Sequence, residues 1–416
     1  MYLYDISHSS FNPSESWIGK HNAASLDPSW VIDLAAPIAA APTISGGMAY
    51  VGTWDGNFYA VDTQTGSVRW STFVGLAGEP ATTFCMPAVG VTSQAAVVGN
   101  VVYVGGGDSA VYALDKQTGA QIWRTSLADP KSGAYLWSSV TYYDNALFIG
   151  VASLGDCPLV RGALVRLDLA KPNQPLFRWL APEDVLGGGI WSTPGIDAGT
   201  NTVYVTTGTG EQDEGSGTWG GSMLAMDATT LEIKSYFFLP TNSVDLDIEW
   251  GSSPSLFVTS DGFPLVAATG KDGVLYAQSR EDLSPVWSTQ LAIECICPEC
   301  GCGSISTPAF DGQTLYVGAG VVPGAVENGS VHAVDPDTGD ILWTRLVPGV
   351  VVAPVTVANG VLYVSTGLGL LVLDAADGSL LWSNGPEVTI YSQAVVCEGV
   401  VYSTQFDGNF IAWQAQ

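Results

Sequence analysis

Val331-His-Ala-Val-Asp335-Pro-Asp-Thr-Gly339-Asp-Ile-Leu-Trp343 decides the fold. An alternating apolar run reads as a strand, Asp-x-x-Thr-Gly reads as a tight turn, and a second strand ends in Trp. Gly339 supplies a positive φ at that turn, and the Asp335 carboxylate can hold the turn's N–H groups. The same unit occurs as Phe58-Tyr-Ala-Val-Asp62-Thr-Gln-Thr-Gly66-Ser-Val-Arg-Trp70, as Val111-Tyr-Ala-Leu-Asp115-Lys-Gln-Thr-Gly119-Ala-Gln-Ile-Trp123, and as Leu371-Val-Leu-Asp374-Ala-Ala-Asp-Gly378-Ser-Leu-Leu-Trp382. Weaker copies end at Trp179, Tyr236 and Trp287. Upstream of each hairpin lie another short strand, such as Val101–Val104, and a Pro-containing one, such as Ala41-Pro-Thr-Ile44. Four short strands recurring every 40–57 residues or so make one blade of a β-propeller. The repeated Trp at the blade edge is a docking residue between neighbouring blades.

Outer strands end at Trp30, Trp70, Trp123, Trp179, Tyr236, Trp287, Trp343 and Trp382. The first of these has no hairpin upstream, and the last hairpin strands, Val400–Ser403 and Gly408–Ile411, have no Trp strand after them. The N-terminal strand is therefore expected to complete the last blade and remove an open sheet edge. The expectation is an all-β chain forming a single eight-bladed β-propeller over residues 1–416.

Composition sets the limits on partners. The chain has 416 residues, is 47% hydrophobic and 13% charged, and carries a formal charge of −27 with only 13 Lys and Arg. Such a polyanion repels phosphate backbones and anionic lipid, which argues against nucleic acid and the membrane surface. No apolar run reaches transmembrane length; the most apolar stretch, 347–364, is interrupted by Pro and Gly. The acidic balance suits an extracellular or periplasmic protein, and no signal peptide falls within this numbering. Seven cysteines stand at 85, 157, 295, 297, 300, 302 and 397, an odd total that leaves at least one without an internal partner. Cys295, Cys297, Cys300 and Cys302 form a cluster that suits either disulfides or a structural metal held by thiolates. A redox role for Cys297 and Cys300 is disfavoured, because no helix follows to lower a thiol pKa. Only three histidines occur, and no zinc-protease, hydrolase-elbow or Walker motif is present. Any chemistry must then come from a bound cofactor.

Repeated eightfold, the Ala-x-Asp-x-x-Thr-Gly-x-x-x-Trp unit resembles the tryptophan-docking motif of the quinoprotein alcohol dehydrogenases, and segments such as Trp54-Asp-Gly-Asn57 and Gly270-Lys-Asp-Gly273 resemble their polyvinyl-alcohol-dehydrogenase-like branch. That resemblance implies pyrroloquinoline quinone (PQQ), a calcium ion, an alcohol substrate of small-molecule or polymer type, and a separate electron acceptor. It gives Trp191, in Gly187-Gly-Gly-Ile-Trp191, the role of floor beneath the quinone. Lys271 becomes the cation at the quinone oxygen, and Asp247, with Asp245 as alternative, becomes the catalytic base. The position of the family's calcium-ligand Asn is taken by Thr209, with Glu211 beside it; Asp156 falls near the ligand Glu, and Ser93 stands where an Arg pairs with the cofactor carboxylates. The family's adjacent cysteine pair is absent, and a Cys85–Cys157 disulfide at the pocket rim is the expected substitute. Because non-enzymatic assembly scaffolds share the repeat, the alternative is a non-catalytic propeller that binds a protein partner or surface polymer with a degraded cofactor site.

Overall fold

The computed structural model describes residues 1–77, 86–242, 247–294, 297–385 and 388–416. Among them the chain is all-β, with single-turn 3-10 segments as its only helices. Eight blade sheets follow one another: blade 1 (43–73), blade 2 (96–126), blade 3 (141–179), blade 4 (195–238), blade 5 (255–290), blade 6 (309–347), blade 7 (356–383) and blade 8 (395–415). Blade 8 takes its outer strand, Leu26–Asp33, from the N-terminal region, paired antiparallel to Asn409–Ala415 as the unmatched strand ends predict. Cα packing divides the chain into two compact units. One comprises Met1–Tyr2 and Ala36–Phe238, with blades 1 to 4; the other comprises Leu3–Ala35 and Leu239–Gln416, with blades 5 to 8.

Within a blade, burial falls from the middle strands to the edge. Val361–Thr366 of blade 7 is buried at every position, whereas its outer strand Leu380–Ser383 is exposed or half-buried. Strands buried on both faces need unbroken apolar runs, and the second and third strand of each blade supply them. The repeat turn behaves as its residues dictate. Asp335 Oδ1 accepts the N–H groups of Asp337 (2.8 Å) and Thr338 (3.2 Å), and Asp115 Oδ1 those of Gln117 (3.1 Å) and Thr118 (2.9 Å). The Thr118 hydroxyl and these backbone bonds hold the Asp115 carboxyl below the usual carboxylate range.

The tryptophans dock as expected. In blade 5, Trp287 Nε1 donates to Pro336 O at 3.1 Å, in the turn of blade 6, and the Thr289 hydroxyl donates to Gly339 O at 2.5 Å. Trp343 Nε1 repeats the bond to Ala375 O in blade 7 at 3.2 Å, and Trp70 Nε1 to Lys116 O in blade 2 at 3.2 Å. The turn glycine is required twice over. Gly339 has φ +79°, and any Cβ there would collide with the Trp287 indole. Where the glycine is missing the docking weakens: in blade 4 the position is Leu231, at φ +60°, and Trp179 of blade 3 is 38% exposed.

One element has no counterpart in the repeats. Residues 7–12 run along the inner strands of blades 5 to 8. Leu256 N donates to Ser7 O (2.8 Å), Phe310 N to Ser9 O (2.8 Å) and Val357 N to Ser10 O (3.0 Å). Phe11–Asn12 adds a parallel strand to blade 7, and Asn12 Nδ2 reaches Val396 O at 2.9 Å. At its centre His8 is buried, with Nδ1 donating to Pro254 O at 2.8 Å.

Candidate functional site

Antiparallel order fixes which loops share an end. In each blade the repeat turn and the turn between the first two strands lie at one end. The connection between strands two and three, and the entry into strand one, lie at the other. Each candidate residue that lies among the described residues falls on the connection end of its own blade.

In the second unit, blade 5 carries the chemistry. Asp247 and Glu249 stand on the entry to its first strand, and Lys271 on the connection between its second and third. A backbone bridge from Trp250 to Gly270, with Lys271 N donating to Glu249 O at 2.9 Å, locks the two segments together. Lys271 Nζ then lies 2.9 Å from Asp247 Oδ2 and 3.0 Å from Glu249 Oε1. The lysine side chain is 12% exposed and that of Glu249 5%, whereas Asp247 is 45% exposed and sits at φ +51°. Burial pulls the ammonium pKa down, but the Glu249 charge and the bonds to Asp247 outweigh it and raise Lys271 above the ordinary lysine value. The next acid, Asp272, is 2% exposed and bound elsewhere, accepting from the Thr241 hydroxyl (2.5 Å) and the Tyr276 hydroxyl (2.6 Å). Trp250 packs edge-on to Tyr276 at 5.5 Å and closes the cluster from below. Asp245, the alternative base, lies outside the described residues.

Glu249 is the residue that the sequence reading did not single out. Its signal was the residue that follows it: Glu249 is joined directly to Trp250, which is 1% exposed.

In the first unit, Trp191 is half-buried at the entry to blade 4. The glycines before it permit close backbone passage: Gly162 N donates to Gly187 O (2.9 Å), Gly188 N to Thr209 O (2.8 Å) and Gly208 N to Gly189 O (2.7 Å). Thr209 is half-buried, while Glu211 and Asp156 are exposed. Ser93 is fully buried and its hydroxyl donates to Gly105 O at 3.2 Å, which leaves it inside the sheet packing. No group of three or more His, Cys, Asp or Glu suited to a metal occurs among the described residues.

Of the cysteine cluster, Cys297 and Cys300 are joined as a disulfide, the first of the two alternatives that the spacing left open. Cys157 and Cys302 are each in a disulfide too, though not with one another, and Cys397 is free, in keeping with the odd total. Cys85 and Cys295 lie outside the described residues, and so does the expected Cys85–Cys157 pairing. A single 3-10 turn, Pro298–Cys300, occupies the loop where no helix was expected. The loop ends at Gly303, whose N–H donates to Ile293 O at 2.7 Å and which rests directly on the Lys271 backbone carbonyl.

The family described as outer membrane protein assembly factor BamB matches residues 20–152, 248–349 and 327–416. The chain belongs to that family. Its curated relatives include the polyvinylalcohol dehydrogenase of Sphingopyxis sp. (strain 113P3), 23% identical over 89% of this chain and 58% of the relative. The polyvinylalcohol dehydrogenase of a Pseudomonas sp. is 25% identical over 82% of this chain and 60% of the relative. The chain thus spans about three-fifths of the length of these relatives. Among solved structures, a europium-containing methanol dehydrogenase superposes with a TM-score of 0.84 at 15% identity, over 100% of this chain and 97% of the other. The fold is accordingly the eight-bladed β-propeller of the PQQ-dependent alcohol-dehydrogenase-like proteins. Residues 153–247, outside the matched family ranges, carry Asp156, Trp191, Thr209, Glu211 and Asp247. Among the described residues no helix is long and apolar enough to cross a membrane.

Proposed function

We propose that the protein is a PQQ-dependent alcohol dehydrogenase acting in an extracellular or periplasmic setting on a small-molecule or polymer alcohol, with a separate electron acceptor. The observation that carries this reading is the buried Lys271 ammonium held between Asp247 and Glu249 at the connection end of blade 5. The similarity to two polyvinylalcohol dehydrogenases supports the substrate class. The residues fit the quinone in kind: a buried ammonium is a charged N–H donor of the sort a quinone oxygen accepts from. Bound PQQ would supply the two-electron oxidant. Lys271 would stabilise negative charge on an oxygen placed against it, in a site where a charged donor counts for more than in water. Asp247, the more exposed acid, would take the alcohol's hydroxyl proton. Trp191 offers an indole face suited to a flat ring. No step is assigned to calcium; Asp156 and Glu211, the acids that the resemblance puts near it, are both exposed.

The family's description as an assembly factor favours a second reading, a non-catalytic propeller that docks a protein partner or surface polymer. PQQ titration followed by absorbance and tryptophan quenching separates the two. Saturable micromolar binding, weakened in Trp191→Ala and Lys271→Met, supports the dehydrogenase and justifies an alcohol screen with an artificial acceptor. Absence of binding with and without added calcium removes it and leaves the docking reading.

A further inference from the structure

The two carboxylates on Lys271 are not equivalent, and their difference assigns a division of labour. Glu249 is tied to Lys271 by both backbone and side chain: its carbonyl receives the lysine N–H at 2.9 Å, and its carboxylate meets Nζ at 3.0 Å in a pocket where its side chain is 5% exposed. Asp247 lies beyond the Trp250–Gly270 bridge, in a positive-φ turn, 45% open to solvent. A charge pair shielded from water holds its geometry, while one facing solvent exchanges readily with water. A base that remained clamped on an ammonium would be too weak to take a proton, so something else must hold the lysine when Asp247 acts.

We propose that Glu249 is the positioning residue for Lys271, holding its ammonium in place so that Asp247 can leave it and accept the proton of a bound alcohol. This rests on the dehydrogenase reading for its catalytic half, but not for its structural half. The other charged groups nearby are already committed or turned outward: Asp272 is bound by the Thr241 and Tyr276 hydroxyls, and Glu294 of the adjoining loop is exposed. Of the two acids paired with Lys271 among the described residues, Glu249 is the buried one.

The test compares Glu249→Gln, Glu249→Asp and Asp247→Asn in the full chain. Competitive amine acylation across pH, read on the Lys271 peptide by mass spectrometry, needs no quinone. In the unsubstituted protein the lysine should titrate above the ordinary range. Glu249→Gln should lower that titration further than Asp247→Asn does, and Glu249→Asp should restore part of it. With PQQ and an artificial acceptor, Glu249→Gln should lower kcat at least tenfold with KM within about threefold, and shift the pH profile of kcat; Asp247→Asn should abolish turnover while leaving Lys271 protonated. An unmoved Lys271 titration in Glu249→Gln, or a larger shift in Asp247→Asn, overturns the assignment. Should Glu249→Gln not fold, Glu249→Met takes its place against Asp247→Asn in the same ordering. Failure of every protein to bind PQQ would sink the dehydrogenase reading while the acylation arm still judges Glu249.

Discussion

At the turn end of blade 6, Asp335 gathers two backbone N–H groups and Gly339 receives the indole of Trp287; at the connection end of blade 5, Lys271 sits between Asp247 and Glu249. The first arrangement recurs in other blades with the same residue types. The second occurs once among the described residues. Repetition builds the scaffold because each docking bond needs only one Trp and one carbonyl. The singular end can diverge because the scaffold does not depend on it. The two ends should then fail differently when substituted.

Lys271→Met should show the sharpest difference. It removes the charged donor, for which a loss of about 10²–10³ in turnover is the usual scale, and it strands Glu249 as a buried charge, costing about 3–5 kcal/mol. The pair Lys271→Met/Glu249→Leu should recover most of the stability in urea unfolding without recovering turnover. If the double variant stays as unstable as the single one, the cluster belongs to the scaffold and the contrast between the ends is wrong.

Acid should attack a third region, the buried histidines. Burial pushes His8 down to about 4, against the opposing pull of the Pro254 carbonyl and the Asp5 charge, and burial alone does the same to His332, which is flanked by the Ser330 and Thr344 hydroxyls. Unfolded, both would titrate near the ordinary imidazole value of 6.5. Between these values the unfolded chain binds more protons than the folded one, so stability falls as pH drops from 6.5 towards 4 and is complete above that window. Each histidine contributes roughly 3 kcal/mol to that slope. Urea midpoints measured across the window should show it, and His332→Gln should flatten it by about half. A slope unchanged in His332→Gln would mean that its imidazole is not the group being titrated.

The docking series grades the scaffold end itself. Trp287→Ala loses a packed indole and its bond to Pro336, and should cost about 2–3 kcal/mol. Trp179→Ala should cost about 1 kcal/mol, because that ring is 38% exposed and its contacts are a stack on Phe177 and the Arg161 guanidinium. Thermal unfolding of the two variants side by side checks the ordering, and equal losses would show that the exposed ring docks as well as the half-buried one.

How much of this was legible in the sequence divides along the same line. Asp62, Gly66 and Trp70 announce their blade because each is fixed by local chemistry: a turn carboxylate, a positive φ, a docking ring. The closure of blade 8 by Leu26–Asp33 followed from an unmatched strand at each end. The strap at residues 7–12 was invisible, because Ser7-His-Ser-Ser10 has no period and its partners lie hundreds of residues away. Glu249 was missed for a related reason. Three alternating acids read as one solvated loop until Trp250 is seen to be 1% exposed, drawing the acid beside it inward.

The smallest effect tests the turn chemistry most directly. Asp335→Ala removes the acceptor for two N–H groups, those of Asp337 and Thr338, while Gly339 N still donates to the Asp335 carbonyl at 2.9 Å. The turn should keep its course, since that backbone bond and the positive φ of Gly339 do not involve the lost side chain. The two N–H groups turn to water rather than being buried, so the cost should be about 0.5 kcal/mol. Amide hydrogen exchange should quicken at Asp337 and Thr338 and stay slow across Gly329–Val334, the strand that enters the turn. If exchange quickened along that strand too, the carboxylate would be holding the hairpin as a whole, and the repeated Asp would rank with the Trp as a pillar of the blade instead of a local cap.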